Sequence, residues 1–269
     1  MDGFKDMDGL GFIKALKEAV INGKDVIVYK AGKTQEGVSA VGSHTASIAG
    51  DYQIFLSCIR QAGGIVASSF TEFNECLMIA RLLSNKRIRG NRVAVLSGAG
   101  FEAVGMADNV EVDEHPLKMA VFSDGTVKRL SSLLKEKGLS HLTVSKNPMD
   151  LNPGADDETH ILAIKYLAED VNVDVVIVGL DPLSPVTKTL SEPEIQRFYF
   201  YTPGSVVIEL PELANNLEKP VIGVIDAGKR FDPMADVLES RGMIIFRSAD
   251  RAIRSLAVYL ESRLSKSLR

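Results

Sequence analysis

Long apolar runs, a basic excess and paired cysteines are all missing from this chain. No stretch of its 269 residues stays apolar long enough to span a bilayer as a helix. Lys and Arg number 31 against 35 Asp and Glu, a formal net charge of −4 and a pI of about 5.7. No basic field therefore invites nucleic acid or an anionic membrane. The two cysteines, Cys58 and Cys76, fall on predicted helices with no CxxC or metal-type spacing. That excludes a disulfide framework and predicts small apolar side chains packed in a reducing cytoplasm. The opening MDGFKDMDGL is acidic and polar, unlike a secretory signal. Tryptophan is absent, and the four histidines are too scattered to suggest a shared metal. What remains, 45% hydrophobic and 25% charged, is the profile of a globular protein with enough chain for one large or two modest domains.

Short β-branched runs alternate with helical patterns along the whole chain. DVIVYKAG reads as a buried strand ending in a glycine loop, and apolar residues at Ile48, Tyr52, Phe55 and Ile59 follow with helical spacing until Gly63 and Gly64. IVASS is a short strand, and the helix after it is predicted to start at Thr71 as N-cap. NRVAVLSGAG, LKMAVFS, VDVVIVGLDP, KPVIGVIDAG and MIIFRS supply further strands, with helical segments between them. Strand, loop and helix repeated this often predict an α/β fold with parallel sheets. Ligands gather at the carboxyl ends of such strands. The basic, glycine-containing stretch Ser84–Asn91 reads as a linker. It divides residues 1–88, which hold few strands, from residues 89–269, which hold enough to stand alone.

AVGSHTASIAGDYQIF places His44 among small residues where a helix is expected to begin. Free backbone N–H groups and the helix dipole favour an anion there. Ser43, Thr45 and Ser47 add hydroxyls, and Gly42 lets the backbone come close. An imidazole so placed is suited to accept a phosphoryl group and pass it on. The plainer alternative is an exposed histidine beside a helix cap.

The segment from Lys30 to Phe73 resembles the phosphohistidine region of the nucleoside-diphosphate-forming acyl-CoA synthetases, relatives of succinyl-CoA synthetase. The matching positions are Lys30, Gly32 and the run Ser43, His44, Thr45, Ala46, Ser47, Ile48, Ala49, Gly50. Arg60–Gly63 and Val66–Phe73 follow the same pattern. GNRVAVLSGAGFEAVGMAD, NPMDLNPGADDE and FRSADRAIRSLA are similar to the C-terminal flavodoxin-like domain of those proteins. The resemblance implies two flavodoxin-like parallel-sheet domains. Residues 1–88 would be the second half of the phosphohistidine domain, its sheet incomplete, and 89–269 the C-terminal domain. It implies an acid–thiol ligase that interconverts acyl-CoA, ADP and phosphate with carboxylic acid, CoA and ATP through a phosphohistidine on His44. Gly42, Ser43, Thr45 and Ala46 would hold the phosphate. Asp2, in a Met-Asp-Gly run where the family has Glu-Gly after a hydrophobic residue, would orient the imidazole, one methylene shorter than Glu.

The resemblance also implies Mg²⁺, ATP or ADP, and CoA, none with an evident site in this chain. It implies an ATP-grasp domain or subunit, a CoA-binding domain, acyl phosphate or acyl-CoA as substrate, and an oligomer. The family pattern begins before Met1, so the chain is expected to be a fragment, inactive alone, with an exposed sheet edge or apolar face. A competing reading is a non-catalytic binding or assembly module of the same descent.

Other segments carry weaker chemistry. SGAGFEAVG lacks GxGxxG spacing, and Glu102 and Asp108 are expected to be solvated. Asp150, Asp156, Asp157 and Glu158 suggest Mg²⁺, but the Asn-Pro and Pro-Gly steps favour turns, with Asp156 as a helix cap. Asp226, Lys229 and Arg230 stand at a strand tip as an anion site or, preferably, an inter-domain contact. His115, His141 and His160 are expected at surfaces or helix ends.

Overall fold

The computed structural model describes residues 8–45, 51–110 and 117–267, with the backbone alone at 42–45 and 265–267. The chain forms two compact units, Met1–Arg81 with Ser255–Arg269, and Leu82–Arg254. The end of the chain, assigned from sequence to the second domain, instead belongs to the first unit.

In the first unit, α1 (Asp8–Ile21) leads to β1 (Ile27–Tyr29), α2 (Gln35–Thr45), α3 (Tyr52–Gln61), β2 (Ile65–Ala67) and α4 (Phe70–Leu82). β1 and β2 pair in parallel, Ile27 opposite Ile65. Leu16 and Val20 of α1, Val28 of β1, and Phe55 and Ile59 of α3 form one apolar cluster. Removing each of these side chains from water contributes about 1.5–3 kcal/mol. α3 ends where Gly63 adopts φ +87°, a left-handed conformation open to glycine. α4 does not start at Thr71. Ser69 accepts from the Glu72 N–H at 3.1 Å, while the Glu72 carboxylate reaches back to the Ser68 N–H. This capping pair satisfies two free donors at once, which Thr71 does not do. The first unit's share of the last helix is held by Asp25, which accepts from Tyr259 and Arg263, each at 3.0 Å.

In the second unit, β3 (Arg92–Ser97), α5 (Gly100–Val110), β4 (Lys118–Met119), α6 (Asp124–Glu136), β5 (Met149–Asp150), α7 (Asp157–Glu169) and β6 (Val175–Gly179) come first. Then follow α8 (Val206–Asn216), β7 (Val221–Val224), α9 (Asp232–Ser240), β8 (Ile244–Phe246) and the start of α10 (Ala249–Ser267). The sheet is parallel throughout, in the order β4-β3-β6-β7-β8 with β5 also beside β3. Its central strand β6, VVIVG, is buried at every position, as a strand covered on both faces must be.

β4 and β5 are each too short to line the edge of β3, and the Asn147 side chain fills the gap between them. Its amide accepts from the Val95 N–H at 2.9 Å and donates to the carbonyls of Val93 and Ala120 at 2.8 and 3.0 Å. α8 carries Pro211 in its interior, and Lys86 donates to its terminal carbonyls at Ala214, Asn215 and Leu217. Burial lowers the pKa of that ammonium. The fold class inferred from the sequence is the one observed.

Candidate functional site

The expected phosphate site centres on His44. The backbone places His44 in the last turn of α2, not at a helix start. The reason is local. Thr34 caps the helix early, its hydroxyl accepting from the Gly37 N–H at 3.1 Å, and buried Val41 anchors the following turn. The run of small residues, read as a loop, therefore continues α2 as far as Thr45. α3 begins separately at Tyr52, and the Asp51 carboxylate caps it by accepting from the Ile54 N–H at 2.9 Å. Gly42, Ser43 and Thr45 share the last turn of α2. Ala46 and Asp2 lie outside the described residues, as does His115.

A second set of functional groups meets at the carboxyl ends of β3, β6 and β7, where an open parallel sheet holds ligands. Ser97 ends β3, and its hydroxyl donates to Glu102 in the first turn of α5 at 2.6 Å. Glu102 is half-buried rather than solvated, and its carboxylate lies against the backbone of Gly179, a position only glycine leaves open. Burial raises the Glu102 pKa, and the negative charges of Asp226 and Asp181 raise it further against the Ser97 hydrogen bond. A cavity of about 450 Å³ opens here, lined by Glu102, Asp181, Asp226 and Asp250 with the apolar Phe101 and Leu183. No lining residue among those described is basic, so the lining repels an anion.

His160 lies beside this cluster, at a helix end as expected but not at the surface. It is buried in the first turn of α7, 2% exposed, with Nε2 facing Gly98. Its Nδ1 lies 3.0 Å from the Asp156 carbonyl, which only accepts, so Nδ1 carries the proton. Burial lowers its pKa and keeps the ring neutral. Neither Glu102 nor His160 was identifiable as a site residue from local pattern. The available signal was their position just beyond or beside strand tips.

The remaining acidic residues are structural. Asp156 caps α7 through Thr159 and pairs with Lys137 at 3.0 Å. Glu158 also pairs with Lys137, at 2.6 Å. Buried Asp157 accepts from the Val206 N–H at 2.7 Å, and Asp150 from the Asn152 N–H at 2.7 Å. No group of three His, Cys, Asp or Glu suited to a metal occurs among the described residues. Arg230 pairs with Glu192 at 3.1 Å, inside its own unit. Cys76 is buried in α4, and burial with Glu72 and Glu75 nearby pushes its thiol up to about 12, an inert form.

Residues 1–80 match the succinyl-CoA ligase-like flavodoxin domain. The chain is 31% identical over 264 residues to the acetate–CoA ligase [ADP-forming] II subunit alpha of Pyrococcus furiosus, covering 98% of this chain and 52% of that one. The chain is a homologue of the ADP-forming acyl-CoA ligases. It is likewise 31% identical over 258 residues to the acetate–CoA ligase [ADP-forming] I of Archaeoglobus fulgidus, covering 96% of this chain and 33% of the relative. The dinucleotide-forming acetyl-coenzyme A synthetase 1 of Ca. Korarchaeum cryptofilum, solved with phosphate and ADP, superposes on 99% of this chain and 53% of its own, with a TM-score of 0.79 at 22% identity. That likeness shows the succinyl-CoA synthetase-like, flavodoxin-like fold. This ligase homologue spans about half the length of the first relative and a third of the second. Its His44 motif lies inside the matched flavodoxin domain. No helix among its described residues is long and apolar enough to cross a membrane.

Proposed function

We propose that this chain is part of an ADP-forming acyl-CoA synthetase in which His44 carries a phosphoryl group between acyl phosphate and ADP. The observation that carries the reading is the Ser43–His44–Thr45 run with Ala49–Gly50, inside a segment that matches the succinyl-CoA ligase-like domain. A neutral imidazole nitrogen attacks the phosphorus of the acyl phosphate. The N–P bond forms, the P–O bond to the acyl group breaks, and the carboxylate leaves. Transfer to ADP then breaks the N–P bond, forms ATP and restores the imidazole. Asp2 orients the ring, and Gly42, Ser43, Thr45 and Ala46 surround the phosphate. CoA, ADP and Mg²⁺ are assigned to a partner domain or subunit; the acidic cavity of the second unit, with no basic residue in its lining, does not favour a phosphate.

The test is phosphorylation of the full chain, mixed with an ATP-grasp partner, by γ-labelled ATP. An acid-labile, base-stable label that disappears in His44→Ala is the expected result. A label that survives His44→Ala, or none at all in the active complex, overturns the reading.

A further inference from the structure

We propose that the cavity at the carboxyl ends of β3, β6 and β7 binds a small organic cation, a guanidinium on a short apolar stem. This site belongs to the second unit alone and does not depend on the reading of His44. On one side of β3 lie β4 and β5, and on the other the sheet runs through β6 and β7 to β8. The strand order therefore reverses between β3 and β6, and an open parallel sheet leaves a ligand crevice at such a point. The segments that follow β3 and β6 supply Glu102 and Asp181 to the lining. The volume of about 450 Å³ falls in the range of small-ligand sites.

The site offers acceptors and wants donors. Apart from Asn109, whose side chain donates to the Gly105 carbonyl of its own helix, the polar side chains of the lining are carboxylates. Glu102, Asp181 and Asp226 form no ion pair among the described residues. His160, 2% exposed, adds a neutral acceptor beside them. Its Nδ1 holds the proton against the Asp156 carbonyl, so Nε2 carries a lone pair. No donor meets that lone pair among the described residues. Nε2 and the Cβ of Asp181 each lie 3.3 Å from the point that a Cβ on Gly98 would occupy. The lone pair thus opens on the Asp181 edge of the cavity. A buried acceptor without a donor is costly, and a ligand N–H relieves that cost.

A guanidinium fits this set. It carries five N–H donors and no acceptor, and it spreads one positive charge over a plane. Asp181 and Asp226 raise the Glu102 pKa by their charge, so the carboxylates repel one another and a cation among them relieves the repulsion. The apolar part of the lining decides which cation. Phe101 is 93% exposed and Leu183 76%. A strongly hydrated metal ion gains nothing from such a rim. A guanidinium is weakly hydrated and stacks on an aromatic face, and its stem covers an aliphatic side chain.

The experiment is titration of the full chain with n-butylguanidinium, followed by NMR at Phe101, Leu183 and the His160 ring nitrogens. Saturable shifts at all three residues are expected, with the largest nitrogen shift at Nε2 as it accepts an N–H. The uncharged isostere n-butylurea is expected to bind about tenfold more weakly or worse. Asp226→Asn is expected to weaken n-butylguanidinium binding about threefold, as for an exposed charge. Asp181→Asn is expected to weaken it about tenfold. Added salt is expected to weaken it too. Asp226 is exposed, so its variant tests the site even where Asp181→Asn fails to fold. The absence of saturable binding by the wild type, or equal binding of n-butylurea, overturns the proposal. So does unchanged affinity in Asp226→Asn, or displacement of the cation by Mg²⁺ at matched ionic strength, which would mark a metal site instead.

Discussion

The Ser97 hydroxyl donates to the Glu102 carboxylate at 2.6 Å and thereby fixes the turn from β3 into α5. The same carboxylate is pressed against Gly179 of the neighbouring strand and faces the negative Asp181 and Asp226. Its pKa is raised in the fold, first by burial and then by those charges. A carboxyl whose folded pKa is raised stabilises most when protonated, and that contribution is lost as pH rises through the folded value. At neutral pH the ionised group thus weighs against the fold. Glu102→Gln keeps an acceptor for Ser97 and removes the charge. Thermal melts are expected to show the variant a few degrees more stable at pH 7, with the gain vanishing toward pH 4. An equal gain at both pH values would contradict the assigned cause.

The Asn147 amide substitutes for a missing stretch of strand. Replacing it by Ala strands the Val95 N–H and takes the side-chain donor from the Ala120 carbonyl, both on buried residues, while the Val93 carbonyl still accepts from the Ala120 N–H at 2.9 Å. Each buried polar group left unmet costs about 1–3 kcal/mol. Asn147→Ala is expected to destabilise the second unit by about 3 kcal/mol or more, measured by urea unfolding. Asn147→Asp retains the acceptor but loses both donors, and is expected to fall nearly as far.

The alternation of strands and helices was readable because β1, β3, β6 and β7 are compact β-branched runs that end close to a glycine or an Asp-Pro step. What escaped were elements whose local signals conflict with their fold. α8 opens with Val206, Val207 and Ile208 and contains Pro211, so it lacks a helical signature. β5 has two residues and no period. α2 is rich in glycine and serine and passed for a loop. The place of the last helix depends on Asp25 meeting Tyr259 and Arg263, a contact no local window contains. The candidate site divides the same way. The His44 motif is a string of residues and could be read directly, whereas the burial of Glu102 and His160 follows from the ends of strands far apart in sequence.

Asp157 ties the start of α8 to the start of α7. It is 5% exposed and accepts from the Val206 N–H at 2.7 Å and the Lys188 N–H at 3.2 Å. Asp157→Ala leaves both donors without this acceptor, a loss of about 2–3 kcal/mol. Amide exchange is expected to accelerate first at Val206 and Lys188. Asp157→Asn keeps one oxygen and is expected to retain part of the protection. Uniform acceleration across the sheet would instead indicate global loss.

Asp25 holds the end of the chain in the first unit. It accepts from Tyr259 at 3.0 Å and from Arg263 at 3.0 Å, and burial together with the Asp25 charge raises the Tyr259 pKa. The same helix is fixed further by Ser262, whose hydroxyl donates to the Gly63 carbonyl at 2.7 Å. Tyr259→Phe removes one donor while Arg263 still serves the carboxylate, so the expected cost is about 1 kcal/mol. Asp25→Ala leaves both a buried hydroxyl and a guanidinium without this acceptor, and about 3 kcal/mol is expected. Limited proteolysis reads the difference. Asp25→Ala is expected to release cleavage within residues 255–267 while the second unit stays intact, and Tyr259→Phe to show little change. Cleavage of the second unit at the same rate would place the final helix with that unit instead.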